Sequence, residues 1–240
     1  MAISDNIKEI KIKMLEACQR CGRKADEVRL LMATKTVPPS IIIEAFNAGE
    51  TLIGENKVQE LVSKAEELKP FKHESHFIGH LQSNKIKDVL KYADCVQSVD
   101  RLDLAQKLEK KLETENRTLD IFIQVNTSEE VSKFGCKMEE AIPLIEQVCE
   151  LSHLNIKGLM TIGLFSDDKN LTRPCFKALY KIKTKAESLN CLKVKTLELS
   201  MGMSGDFEMA IEEGATIVRV GTSIFGKRIY PDSYYWNENK

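Results

Sequence analysis

The sequence predicts an α/β protein, a (β/α)8 barrel with an extra N-terminal helix and no second domain. Three observations lead there. Eight short apolar segments punctuate the chain, amphipathic helical patterns lie between most of them, and the 240 residues are close to the roughly 250 such a barrel needs. Strands that alternate with helices pair in parallel through crossovers. An open doubly wound sheet is the alternative, but no Gly-rich turn follows the first strand, Val28–Thr34, where that fold places one. No linker rich in Pro, Gly or Ser divides the chain. One domain is therefore expected over 1–240, with a helix at about 3–21, the barrel at about 28–228 and a short tail.

The elements follow in order. Ile3, Ile7, Ile10, Met14, Cys18 and Cys21 recur at helical steps and mark the leading helix. The strands expected are Val28–Thr34, Thr51–Gly54, His76–Gly79, Cys95–Ser98, Leu119–Asn126, Ile156–Ile162, Thr196–Ser200 and Ala215–Val220. Among the helices between them, Leu102, Ala105, Leu108 and Leu112 form one apolar stripe, with Asp100 as its expected N-cap. Leu171, Cys175, Leu179, Ile182, Ala186 and Leu189 form another. Pro143 is expected in the first turn of its helix or at a kink.

Composition narrows the function. Lys plus Arg number 35 against 36 Asp plus Glu, a net charge of −1, without the basic excess of a nucleic-acid binder. The longest stretch free of Asp, Glu, Lys and Arg, Ser75–Asn84, contains Ser, His, Gln and Asn, so no membrane span is expected. The start of the chain has no apolar signal-peptide core, and a cytoplasmic protein is expected. The 7 cysteines are scattered. Cys18 and Cys21 have Cys-x-x-Cys spacing, but both continue the helical stripe and no second pair follows at zinc distance. They read as buried thiols. His73, His76 and His80 do not share one surface if a strand starts at His76, so no metal is expected.

The chemistry belongs at the C-terminal ends of the strands. The first strand ends on Lys35, which by itself reads either as a surface lysine opening the loop before Pro38 and Pro39 or as an amine at the barrel mouth whose partial burial favours attack on carbonyls. The last strand carries Arg219 and runs into Gly221-Thr222-Ser223; the seventh ends at Ser200-Met201-Gly202-Met203-Ser204. A glycine turn opening a helix cradles anions, and the loops after strands seven and eight often hold phosphate. Closure brings strand eight beside strand one. A lysine beside a phosphate cradle suits a phosphorylated aldehyde: either pyridoxal 5′-phosphate (PLP) or a phosphosugar aldehyde in an aldolase-like enzyme.

The segment Leu30-Leu31-Met32-Ala33-Thr34-Lys35-Thr36 resembles the PLP-lysine segment of the pyridoxal phosphate homeostasis proteins, which are similar to the alanine racemase barrel without its second domain. Gly54-Glu55-Asn56, His76-Phe77-Ile78-Gly79, Leu81-Gln82-Ser83-Asn84-Lys85, Gln124-Val125-Asn126, Ser132-Lys133-x-Gly135 and Gly158-Leu159-Met160 follow in order, and Leu199–Ser204 and Val218–Thr222 close the set. The resemblance runs from about residue 30 to Arg228. It implies PLP as a Schiff base on Lys35, phosphate contacts from Ser200, Gly221 and Thr222, Arg219 facing the cofactor, and Asn56 near the ring. Lys57 and His80 depart from the family pattern and alter the pocket rim.

The role implied is PLP homeostasis, as a carrier or buffer without efficient catalysis, with PLP-dependent apo-enzymes as recipients. A racemase needs a second base, a tyrosine, on the face opposite the lysine. Tyr92 and Tyr180 belong to helical stretches, and Tyr230, Tyr234 and Tyr235 lie in the tail. The charged helix from Arg101 to Arg117 shows nothing beyond a solvated face, so a protein-binding module is the weakest reading. A monomer is expected, because the second domain that supplies dimer contacts is missing.

Overall fold

The structure is a computed structural model and describes residues 2–164, 166 and 168–226. Arg228 and the tail tyrosines lie outside the described residues. The chain begins with helix α1 (Ile3–Arg20), then alternates strand and helix: β1 (Arg29–Ala33), α2 (Pro39–Asn47), β2 (Leu52–Glu55), α3 (Val58–Leu68), β3 (Glu74–Phe77), α4 (Ile86–Tyr92) and β4 (Cys95–Val99). The second half adds α5 (Leu102–Glu115), β5 (Leu119–Gln124), α6 (Ala141–Cys149), β6 (Leu154–Met160), α7 (Lys169–Ala186), β7 (Glu198–Met203), α8 (Phe207–Glu212), β8 (Ile217–Val220) and α9 (Thr222–Phe225). Every neighbouring strand pair is parallel, and β8 pairs with β1, which closes the barrel. The open-sheet alternative is thereby excluded.

Two apolar layers account for this closure. Inside the barrel, Leu31, Leu52, Cys95, Phe122, Met160 and Ile217 pack on one another. The larger layer lies between strands and helices, where Leu104, Leu108 and Leu112 of α5 and Ile42 of α2 are fully buried. Burying each such side chain contributes about 1.5–3 kcal/mol. The stripe of α1 is buried through Cys18, while Cys21 is only partly buried and its Sγ lies 3.2 Å from the Ala17 carbonyl. The cysteines among the described residues are free thiols. No described helix is long and apolar enough to cross a membrane.

Helix α1 fastens the two ends of the barrel sequence together. Arg20 pairs with Glu208 and Glu212 at 2.9 and 2.8 Å. Arg23 donates to the carbonyls of Ile211 and Ala215, and Asn6 Nδ2 donates to the Ile224 carbonyl at 2.7 Å.

Several boundaries differ from expectation. Strand β3 spans Glu74–Phe77 rather than His76–Gly79, because those four residues pair with Leu52–Glu55 of β2, while Gly79 lies against the backbone of Asn56. Strand β7 continues to Met203, since a register shift between Ser200 and Met203 lets it bend, with Gly202 at φ +91°. Asp100 does not cap α5. The N-cap is Arg101, and Asp100 Oδ1 instead accepts its guanidinium at 2.6 Å. Pro143 lies in the first turn of α6, where no N–H partner is lost.

Candidate functional site

Lys35 follows β1 by two residues and is partly buried. Its two neighbours are clamped. Lys64 of α3, 7% exposed, donates to the Thr34 carbonyl at 2.8 Å and to Glu55 Oε1 at 2.7 Å, and also pairs with Glu60 at 2.9 Å. Thr34 Oγ1 donates to the same Glu55 oxygen at 2.7 Å. On the other side, the Thr36 N–H donates to Glu60 Oε2, which holds Thr36 at a left-handed φ of 62°. A non-glycine residue adopts that conformation only when its surroundings impose it. The backbone carrying Lys35 is thus fixed from both sides. Burial pushes the Glu55 carboxyl up from its ordinary value, and the Lys64 charge pulls it back down.

Across the seam, β1 and β8 run in register, with Leu31 beside Arg219 and Met32 beside Val220. Gly221 then packs so closely on β1 that a Cβ there would lie 3.0 Å from the Ala33 carbonyl oxygen. Its N–H donates to Ser204 Oγ at 3.3 Å, which joins the turns after β7 and β8. Thr222 and Ser223 open α9, so their N–H groups belong to the first turn, which has no helical acceptors. Together, Gly221, the exposed Thr222 and Ser223, and the Ser204 hydroxyl form a donor-rich turn beside the end of β1. Such a turn suits a phosphate, and a side chain at 221 would press on the Ala33 carbonyl and push the turn off β1.

Ser200 is placed differently. Its side chain is fully buried inside the barrel, accepting from Arg219 Nη1 at 2.9 Å and donating to Gln97 Oε1 at 2.6 Å. The serine hydroxyl beside Gly221 is that of Ser204. The bend in β7 separates the two serines, and nothing in the local sequence announces it. Arg219 is 5% exposed and also donates to the Thr161 carbonyl at 2.7 Å. Burial lowers its pKa to about 10, opposed by the charge of Asp206. It remains a cation at neutral pH.

The remaining expected residues ring the mouth. Asn56 follows β2 and is partly buried, its carbonyl against Gly79. His80 stacks on Phe134 with centroids 3.9 Å apart. That contact joins the loop after β3 to the loop after β5, where Lys133 Nζ donates to the Gly163 carbonyl at 2.7 Å and Asn126 Nδ2 to the Glu130 carbonyl at 2.9 Å. The Ser132–Gly135 segment is tied down over the ends of β5 and β6. His76 is a packed interior residue, 1% exposed, and His73 Nδ1 lies 2.8 Å from the Phe71 carbonyl. No group of three or more His, Cys, Asp or Glu suited to a metal occurs among the described residues.

A closed barrel with a clamped lysine after β1 and a Gly-Thr-Ser turn after β8 is a barrel of the alanine racemase type. The profile of the family "Alanine racemase, N-terminal domain" matches residues 4–229. An alanine racemase from Clostridium difficile shares the fold at a TM-score of 0.71 and 13% identity, over 96% of this chain and 57% of that one. Within this class, the chain belongs to the pyridoxal phosphate homeostasis protein family. It is 40% identical to the pyridoxal phosphate homeostasis protein of Aquifex aeolicus, over 96% of this chain and 100% of that protein. The Escherichia coli protein of that name is 39% identical over 95% of this chain and 97% of its own length. PipY of Synechococcus elongatus, solved with PLP bound, superposes at a TM-score of 0.79 with 29% identity, over 93% and 100% of the two chains.

Proposed function

We propose that this protein holds pyridoxal 5′-phosphate as a Schiff base on Lys35 and serves intracellular PLP homeostasis as a carrier or buffer, without efficient catalysis. The observation that carries this reading is the adjacency of Lys35, clamped through Thr34 and Thr36, to the glycine turn packed on Ala33. An amine and an anion cradle on adjoining strands match an aldehyde that bears a phosphate. Membership of the homeostasis family favours PLP over a phosphosugar.

In this reading Gly221, Thr222 and Ser204 receive the phosphate. Ser200 lies beneath them and holds Arg219. Asn56 lines the ring side. Arg219 is a fixed cation that only donates; facing the pyridine nitrogen, it disfavours protonation there, which weakens PLP as an electron sink. That suits retention of the cofactor rather than carbanion chemistry. The tyrosines among the described residues support the same view: Tyr92 ends α4 and Tyr180, 46% exposed, lies on α7 against Gly214, both outside the barrel. A monomer that passes PLP to apo-enzymes completes the proposal.

The test begins with the visible absorbance of the purified protein, before and after borohydride, followed by peptide mapping. A chromophore trapped as a pyridoxyl adduct on Lys35, and lost in Lys35→Ala, is the expected result. A protein that yields no adduct after incubation with excess PLP would overturn the reading. Alanine in deuterated buffer is expected to keep its α-hydrogen; sustained exchange abolished by Lys35→Ala would instead identify a racemase.

A further inference from the structure

Below the pocket floor, a line of polar side chains crosses the barrel interior. Arg219 Nη1 lies 2.9 Å from Ser200 Oγ, and Ser200 Oγ lies 2.6 Å from Gln97 Oε1. Gln97 Nε2 lies 2.6 Å from His76 Nδ1, and His76 Nε2 lies 2.6 Å from Glu74 Oε1. Glu74 Oε2 then accepts from Arg29 at 3.0 Å, at the opposite end of the barrel. Ser200, Gln97 and His76 are 0%, 0% and 1% exposed, so water cannot replace these partners.

The direction of each bond follows from the one before it. A guanidinium only donates, so Ser200 accepts from Arg219 and spends its own proton on Gln97 Oε1. The Gln97 amide then presents its NH2 to His76. Nδ1 must accept, which leaves the imidazole proton on Nε2, where the Glu74 carboxylate receives it. Every link is saturated in one sense only. Reversing the Gln97 amide would deprive the Ser200 proton of its acceptor and turn an oxygen towards Nδ1 within the buried stretch from Ser200 to His76.

We propose that Gln97 and His76 are positioning residues for Arg219: a one-way hydrogen-bond relay from Arg219 through Ser200, Gln97 and His76 to Glu74 fixes the guanidinium at the pocket floor. His76 serves as the neutral Nε2–H tautomer. Its effect on PLP rests on the pocket reading above; the relay itself does not. The charged and titratable groups around it are Arg29, Asp120, Glu198 and the buried Cys95 thiol near Glu74, and Asp206 near Arg219.

The experiment uses the full chain with 15N-labelled histidine, the His76 resonances being assigned by their loss in His76→Gln. Ligand-free wild type at neutral pH is expected to show His76 with a protonated Nε2 and a bare Nδ1. Gln97→Glu places an acceptor-only group beside Nδ1 and is expected to move a proton onto it. A wild-type His76 protonated on Nδ1, or a Gln97→Glu spectrum unchanged at His76, would overturn the relay. The second readout is the pH titration of the bound PLP chromophore. Gln97→Leu is expected to displace its midpoint, whereas His76→Gln, which keeps one acceptor and one donor in line, is expected to leave it near wild type. An unmoved midpoint in Gln97→Leu would overturn the positioning role. If no variant and no wild type forms a borohydride-reducible adduct, the PLP reading fails, and the histidine spectra still decide the relay.

Discussion

Lys64→Met is expected to destabilise the fold by about 3–5 kcal/mol, the range for removing one partner of a buried ion pair. Lys64 and Glu55 have side chains 9% and 2% exposed, so the methionine fills the space but leaves a carboxylate without its cation. The lost contacts exceed one pair, since the same ammonium also holds the Thr34 carbonyl and Glu60. Chemical denaturation of variant and wild type at matched pH measures the loss. Glu55→Gln in the same background is expected to recover much of it, because a neutral amide tolerates the site.

The pH dependence has a definite sign. Burial raises the Glu55 carboxyl above its ordinary value in the folded state, and the variant lacks the Lys64 charge that opposes this. Between the ordinary glutamate range and the raised value, the folded state binds more protons than the unfolded one, so stability falls as pH rises. The gap between Lys64→Met and wild type therefore widens with rising pH through that window and narrows towards acid. A gap independent of pH would show that the carboxylate is not the source. The same variant frees the backbone on the Thr34 side of Lys35 and removes the cation that steadies Glu60, which holds Thr36 on the other side, so borohydride trapping on Lys35 is expected to fall with it.

Gly79→Ala is expected to be comparably damaging for a steric reason. A Cβ at 79 would sit 1.8 Å from the Asn56 carbonyl oxygen and 2.6 Å from its carbon. Both atoms are backbone, so no rotamer change relieves the overlap, and the cost should reach about 3 kcal/mol, the upper part of the overpacking range. The strain falls on Asn56, so PLP binding should weaken alongside stability. Gly205→Ala is the matched control: nothing lies within 4 Å of a Cβ there, and its melting temperature should stay near wild type. Equal losses in the two variants would refute the steric argument.

The strands were legible because each apolar run is bounded by polar residues, and Lys35 was legible because it follows the first of those runs. Boundaries were less so. Glu74 looks like a loop residue by itself; it becomes a strand residue because it pairs with Leu52 of β2, while its carboxylate accepts from Arg29 of β1, two strands away. Ser204 was obscured by the bend at Gly202, which changes which serine of Leu199–Ser204 stands beside Gly221. Lys64 reads as one more charged position on an amphipathic helix, and only convergence of Thr34, Glu55 and Glu60 from separate elements buries it. Gln97 and Ser200 are 103 positions apart in the chain. No local pattern can pair residues that only barrel closure brings together.

The seam between β1 and β8 joins the first strand to the last, and the bond from Asn6 to Ile224 across 218 positions reinforces it. Contacts of such long sequence separation slow folding, because the entropy of closing the chain is lost before they form. Lys35 lies on one lip of that seam and Gly221 on the other. In the proposed binding mode a ligand bonded to the first and seated on the second spans the joint between the two ends of the barrel sequence, so cofactor loading would stabilise the closed fold by mass action as well as fill the pocket.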